Sequence, residues 1–71
     1  MECQPIEITV NGERREIDPG GTILRLLEEL RLDPARVAVE LDKRIVKRNE
    51  WERRQIPPGA LIEIVQFVGG G

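Results

Sequence analysis

Nine residues near the end of the chain, ALIEIVQFV, constrain the fold more than any other stretch. Apolar side chains fall on both parities: Leu61, Val65 and Phe67 on one, Ile62, Ile64 and Val68 on the other. A strand that is apolar on both faces belongs in the middle of a sheet. The last element must therefore insert between strands formed earlier in the chain. With 71 residues there is material for one domain, which hides only about 60% of its unfolded surface, so a single modest core has to serve.

The preceding segments supply the neighbours. PIEITVNGERREI alternates Ile6, Ile8 and Val10 against Glu7 and Thr9, then reaches Asn11-Gly12, the pair that best supplies two positive φ angles in a tight hairpin. The second strand, Glu13 to Ile17, is polar enough to belong at an edge, where charge discourages pairing with other chains. DPGG ends it, and Thr22 is placed to cap a helix through its hydroxyl. Ile23, Leu26, Leu27 and Leu30 follow at i, i+3, i+4 and i+7, one apolar stripe with Arg25, Glu28, Glu29 and Arg31 outside it. Pro34 disfavours helical geometry at Asp33 and predicts a helix end near Leu32. RVAVEL then alternates as a third strand, Arg44 to Val46 reads as a short fourth, and Pro57-Pro58-Gly59 forms a turn into the last.

A lone helix has to cover one face of such a sheet, and a right-handed crossover puts the last strand parallel to the first. The expected fold is α+β: a β-grasp, or ubiquitin-like, mixed sheet of four to five strands with one helix packed across one face. Residues 1–68 form that domain in this reading, and residues 69–71 form a flexible glycine tail.

Composition removes several classes of function. Charged residues make up 34% of the chain and apolar ones 39%, a balance that fits a soluble globular domain. Net charge is -2, which gives no bulk attraction to nucleic acid or to an anionic membrane. With only Phe67 and Trp51 as aromatics there is no stacking platform for single strands. The basic pairs Arg14-Arg15, Lys43-Arg44, Lys47-Arg48 and Arg53-Arg54 all have acidic neighbours and read as solvated loops. Histidine is absent and Cys3 is the one cysteine, so neither a disulfide framework nor a soft metal site is expected, nor a nucleophile with its base. The start, MECQPIEI, lacks a basic region leading into an apolar run, which sets the expectation of a cytoplasmic chain without a leader peptide.

VAVELDKRIVKRNEW and LIEIVQFVGGG together resemble the sulfur carriers of thiamin biosynthesis, the ThiS family of ubiquitin-like proteins. The carrying pattern is an apolar strand, a turn, Ile45-Val46, Arg48, and Trp51 three residues further on. Asp42 stands where that family commonly has Asn, Lys47 where it often has Pro, and Ala60 where a Gly-Asp turn is usual. Read without the resemblance, Trp51 is a core anchor and Arg48 a surface charge.

What the resemblance implies is a chemistry carried out on the chain by partners. The carboxylate of Gly71, ionised at neutral pH, would be adenylated by a ubiquitin-activating-type enzyme using MgATP. A sulfur donor, such as a cysteine desulfurase persulfide, would then convert it to a thiocarboxylate for thiazole synthase. Gly71 and Gly70 are the expected reaction site, and Phe67, Val68 and Gly69 the expected partner contacts. Residues without Cβ let backbone enter a narrow channel, and the sheet face around Phe67, with apolar and basic neighbours, is expected to dock. No cofactor, nucleic acid or membrane is expected on the chain itself. Two alternatives share parts of this pattern: a sulfur carrier for molybdopterin synthesis or tRNA thiolation, and a non-catalytic ubiquitin-like adaptor with an unrelated tail.

Overall fold

Asn11 and Gly12 turn the chain at φ of 50° and 84°, as a two-residue hairpin of right-handed twist requires. They join β1 (Ile6–Val10) to β2 (Glu13–Ile17). A computed structural model describes residues 4–67. The remaining elements are α1 (Ile23–Glu29), β3 (Val37–Leu41), β4 (Arg44–Ile45) and β5 (Leu61–Gln66), with single 3-10 turns at Pro34–Arg36 and Arg48–Glu50. The sheet has five strands in the order β2-β1-β5-β3-β4. As the two-sided apolar pattern demands, β5 lies in the centre, parallel to β1 and antiparallel to β3. With α1 covering one face, this is the β-grasp arrangement.

The core follows from the strand and helix periods. Ile8, Val39, Ile62 and Ile64 turn inward from the sheet to meet Ile23, Leu26 and Leu27 of α1. Complete burial of a side chain such as Ile62 contributes about 2 to 3 kcal/mol. Trp51 is 3% exposed, and its indole Nε1 donates to the Val46 carbonyl at 2.8 Å. It is a core anchor, and its polar atom is satisfied where water cannot reach it. Arg48 lies over its ring, 5.7 Å from the centroid, so that side chain is a cation-π partner rather than only a surface charge.

Thr22 caps α1 as expected, its Oγ1 accepting from Arg25 N at 3.2 Å. Two further first-turn amides, Ile23 N and Leu24 N, donate to the carbonyls of Arg54 and Trp51, so the long connection before β5 closes the start of the helix.

The helix stops short of the predicted end near Leu32. It finishes at Glu29, with Leu30 as its C-cap, and Arg31 turns left-handed at φ 60°. Arg31 N then donates to Glu28 O and Leu32 N to Leu27 O, each at 3.0 Å. That is a Schellman closure, in which orphan carbonyls are satisfied and the C″ side chain folds back on the helix. Pro34 is the stop signal that the sequence offers, yet the chain has already turned three residues earlier, at an arginine in a position that usually holds glycine. The fourth strand is likewise one residue shorter than read, although Val46 N still donates to Val39 O at 3.0 Å.

Candidate functional site

The root of the C-terminal segment is built by two hairpin turns that reach β5 from opposite sides. In a two-residue turn both central residues take positive φ, which Asn and Asp tolerate through local hydrogen bonding. On the β1 side, Asn11 N donates to Ile62 O at 2.9 Å. The Asn11 side chain then takes over the ladder where β1 turns away: Oδ1 accepts from Ile64 N at 2.8 Å and Nδ2 donates to Ile64 O at 3.2 Å. On the β3 side, Asp42 and Lys43 turn at φ of 51° and 71°. Asp42 N donates to Leu61 O at 2.7 Å, and Oδ1 of the same residue accepts from Leu61 N at 2.9 Å.

Pairing with β3 extends one residue beyond the strand, because Phe67 N donates to Arg36 O at 2.7 Å. Buried or half-buried backbone groups need such partners, and here they come from both edges. The chain is thus guided in a fixed direction up to Phe67. Val68, Gly69, Gly70 and Gly71 lie outside the described residues, as does Cys3.

Phe67 lies on the sheet face opposite α1. It is 52% exposed, Val65 is 58% exposed and Ile45 75%. Ala38, paired with Val65, stands beside them on that face. Arg36, whose carbonyl takes the Phe67 N–H, stands across from Phe67 as a basic neighbour, and acidic residues share the face with it. Glu40 stands directly across from Glu63, and Ile45 across from Glu40, so the exposed apolar side chains flank a pair of like charges. Hydrogen bonding to Glu63 holds the Glu40 carboxyl above its ordinary value of 4.5, desolvation and the Glu63 charge add to this, and Lys43 opposes it. Two carboxylates in one place favour a shared proton.

Sequence reasoning named Phe67 and missed Asn11, Asp42, Val65 and Ile45 as parts of this site. Asn11 and Asp42 were legible as turn residues, but their bonds to β5 join positions 53 and 19 residues apart, and no local pattern records such a contact. The exposure of Val65 and Ile45 was within reach: a strand with one helix above it leaves its other face uncovered.

Comparison with known proteins agrees with this geometry. The family model described as the ThiS family matches residues 8–71. A thiazole synthase of Paramagnetospirillum magneticum is 36% identical over 66 residues, which cover 93% of this chain and 20% of that protein. The chain spans about a fifth of the length of the thiazole synthases it matches. The sulfur carrier protein ThiS of Escherichia coli is 29% identical, over 93% of this chain and 100% of that protein. The crystal structure of a thiamine biosynthesis protein (ThiS) from Geobacter metallireducens superposes with a TM-score of 0.76 at 28% identity, covering 93% of this chain and 100% of that one. Among the described residues no helix is long and apolar enough to cross a membrane. From the strand pattern, the five-stranded sheet with its single helix and a family match over residues 8–71, we conclude that this chain belongs to the ThiS family.

Proposed function

We propose that this chain is a sulfur carrier that delivers sulfur for thiazole formation in thiamine biosynthesis, with Gly71 as the C-terminal residue that is modified. The observation that carries the reading is the central strand itself. It is clamped on both edges by Asn11 and Asp42 and paired as far as Phe67, next to four residues that end in three glycines. The names of the relatives, thiazole synthase and sulfur carrier protein ThiS, favour this pathway over molybdopterin synthesis, tRNA thiolation or an adaptor role.

The chemistry follows from what a carboxylate lacks. With a pKa of about 3.5 it is an anion at neutral pH and a poor electrophile. An adenylating enzyme with MgATP joins it to AMP and releases pyrophosphate. The outer sulfur of a donor persulfide attacks the acyl carbon and expels AMP with one carboxylate oxygen. A second thiol of the donor side then cleaves the acyl disulfide, leaving the thiocarboxylate on the carrier and a disulfide on the donor side. The carrier contributes presentation: four extended residues reach about 13 Å from the fold, and glycines pass where a Cβ would collide. Ordering each of them costs on the order of 1 to 2 kcal/mol. Docking of the exposed Phe67 and Val65 face offsets that entropy. Activation chemistry and sulfur supply belong to the partners, and the carrier acts as their protein-sized substrate.

Deleting Gly71, or adding one residue after it, abolishes conversion to thiocarboxylate by the adenylating enzyme while Tm stays unchanged. Conversion of either variant at the wild-type rate would rule the tail mechanism out.

A further inference from the structure

The turn that clamps β5 on the β1 side carries a chemistry of its own. Asparagine is among the thermolabile residues, and the chain has two of them, Asn11 before Gly12 and Asn49 before Glu50. Glycine has no Cβ, so its nitrogen can come close to the side chain that precedes it. Nothing in the fold crowds Gly12 either, because no heavy atom beyond its chain neighbours lies within 4 Å of where a Cβ would stand. The Gly12 nitrogen can therefore attack the carboxamide carbon of Asn11, Cγ, once that carbon turns toward it.

In that step the Gly12 nitrogen gives its proton to solvent base and bonds to Cγ, while the Cγ–Nδ2 bond breaks and ammonia leaves. Water then opens the cyclic imide. Opening at Cγ restores the main chain and leaves aspartate; opening at the main-chain carbonyl leaves isoaspartate, with the chain running through the former side chain. Nothing is oxidised or reduced, and water is the one co-reactant. The fold holds the first step back. Oδ1 of Asn11 accepts from Ile64 N at 2.8 Å and Nδ2 donates to Ile64 O at 3.2 Å, so Cγ cannot rotate onto the Gly12 nitrogen unless both bonds are given up.

We propose that Asn11 is a site of spontaneous deamidation, gated by its paired bonds to Ile64, and that conversion irreversibly frees the β1 edge of the central strand just before the C-terminal segment. β1 itself pairs with β5 only as far as Ile62, so the Asn11 side chain is the hold on Ile64 from this edge. A carboxylate has acceptors only. In the aspartate product an oxygen replaces Nδ2 and faces the Ile64 carbonyl, which loses its donor and meets a like dipole. The isoaspartate product adds a carbon to a two-residue turn whose φ angles of 50° and 84° set the hairpin register. Either way the strand is left with β3 alone beyond Ile62. The inference concerns the fold and stands independently of what Gly71 carries.

The test is to age the wild-type protein at mildly alkaline pH, folded and in denaturing urea, and to follow the peptides around residues 11 and 49 by mass spectrometry with an isoaspartate assay. Aspartate and isoaspartate are expected at position 11 in both samples. Their formation is expected to be about tenfold or more faster in urea, because the native side chain must first open two hydrogen bonds. Asn49, followed by a bulky residue, stays intact over the same period and serves as the internal control. Asn11→Asp supplies the aspartate product directly and is expected to have a lower Tm than the wild type. Absence of conversion at position 11 in urea overturns the site. Equal rates in the folded and unfolded protein overturn the gating by Ile64, and an unchanged Tm for Asn11→Asp overturns the release of the strand edge.

Discussion

At the scale of the residue, Asn11 does more than turn a hairpin. Its amide forms both hydrogen bonds to Ile64 that β1 would have made had it continued. Asn11→Gly separates the two roles, since glycine adopts the left-handed turn freely and has no side chain to pair. The substitution is expected to remove about 1.5 kcal/mol of stability, a fall in Tm on the order of 10 °C for a domain of this size. Hydrogen exchange at the Ile64 amide is expected to accelerate beyond the global change. Unchanged Tm and protection would reduce Asn11 to a turn former. The turn itself was legible in the letters Asn11-Gly12, because positive φ at two successive positions narrows the choice of residue. The pairing with Ile64 was not legible, since it depends on where a strand 53 positions away comes to lie.

The elements show the same division. The two-sided apolar pattern of β5, the alternation of β1 and β3 and the stripe of α1 were all legible, because burial imposes a period on each. The helix end was not: Arg31 carries no signal for the left-handed conformation it adopts, and the Schellman bonds outweigh the cost of its Cβ. Strand register was also beyond local reading, and with it the facing of Glu40 and Glu63. That pair gives β3 and β5 a pH dependence.

Glu40 ionises less readily in the fold than in the unfolded chain, so its contribution to stability is complete below its ordinary value of 4.5. It is lost as pH rises through the raised folded value. Glu40→Gln keeps a donor for Glu63 and removes one charge. It is expected to be more stable than the wild type at pH 7, with the difference shrinking toward zero as pH is lowered below 4.5. Urea denaturation of both proteins across that range measures it. A difference that stays constant with pH would mean that the two carboxyls do not interact.

At the scale of the whole molecule, the sheet and helix hold one strand in place, and in the proposed carrier role the bonds are made and broken by the partners. The central claim is that the chain is a carrier whose terminal carboxylate is exchanged for thiocarboxylate. Intact-mass spectrometry of the protein after incubation with the adenylating enzyme, MgATP and a sulfur donor tests it most directly. The account predicts a mass increase equal to the difference between one sulfur and one oxygen atom, dependent on ATP and localised to Gly71. A mass that stays unchanged, while the same enzyme and donor convert an established ThiS carrier, would contradict it.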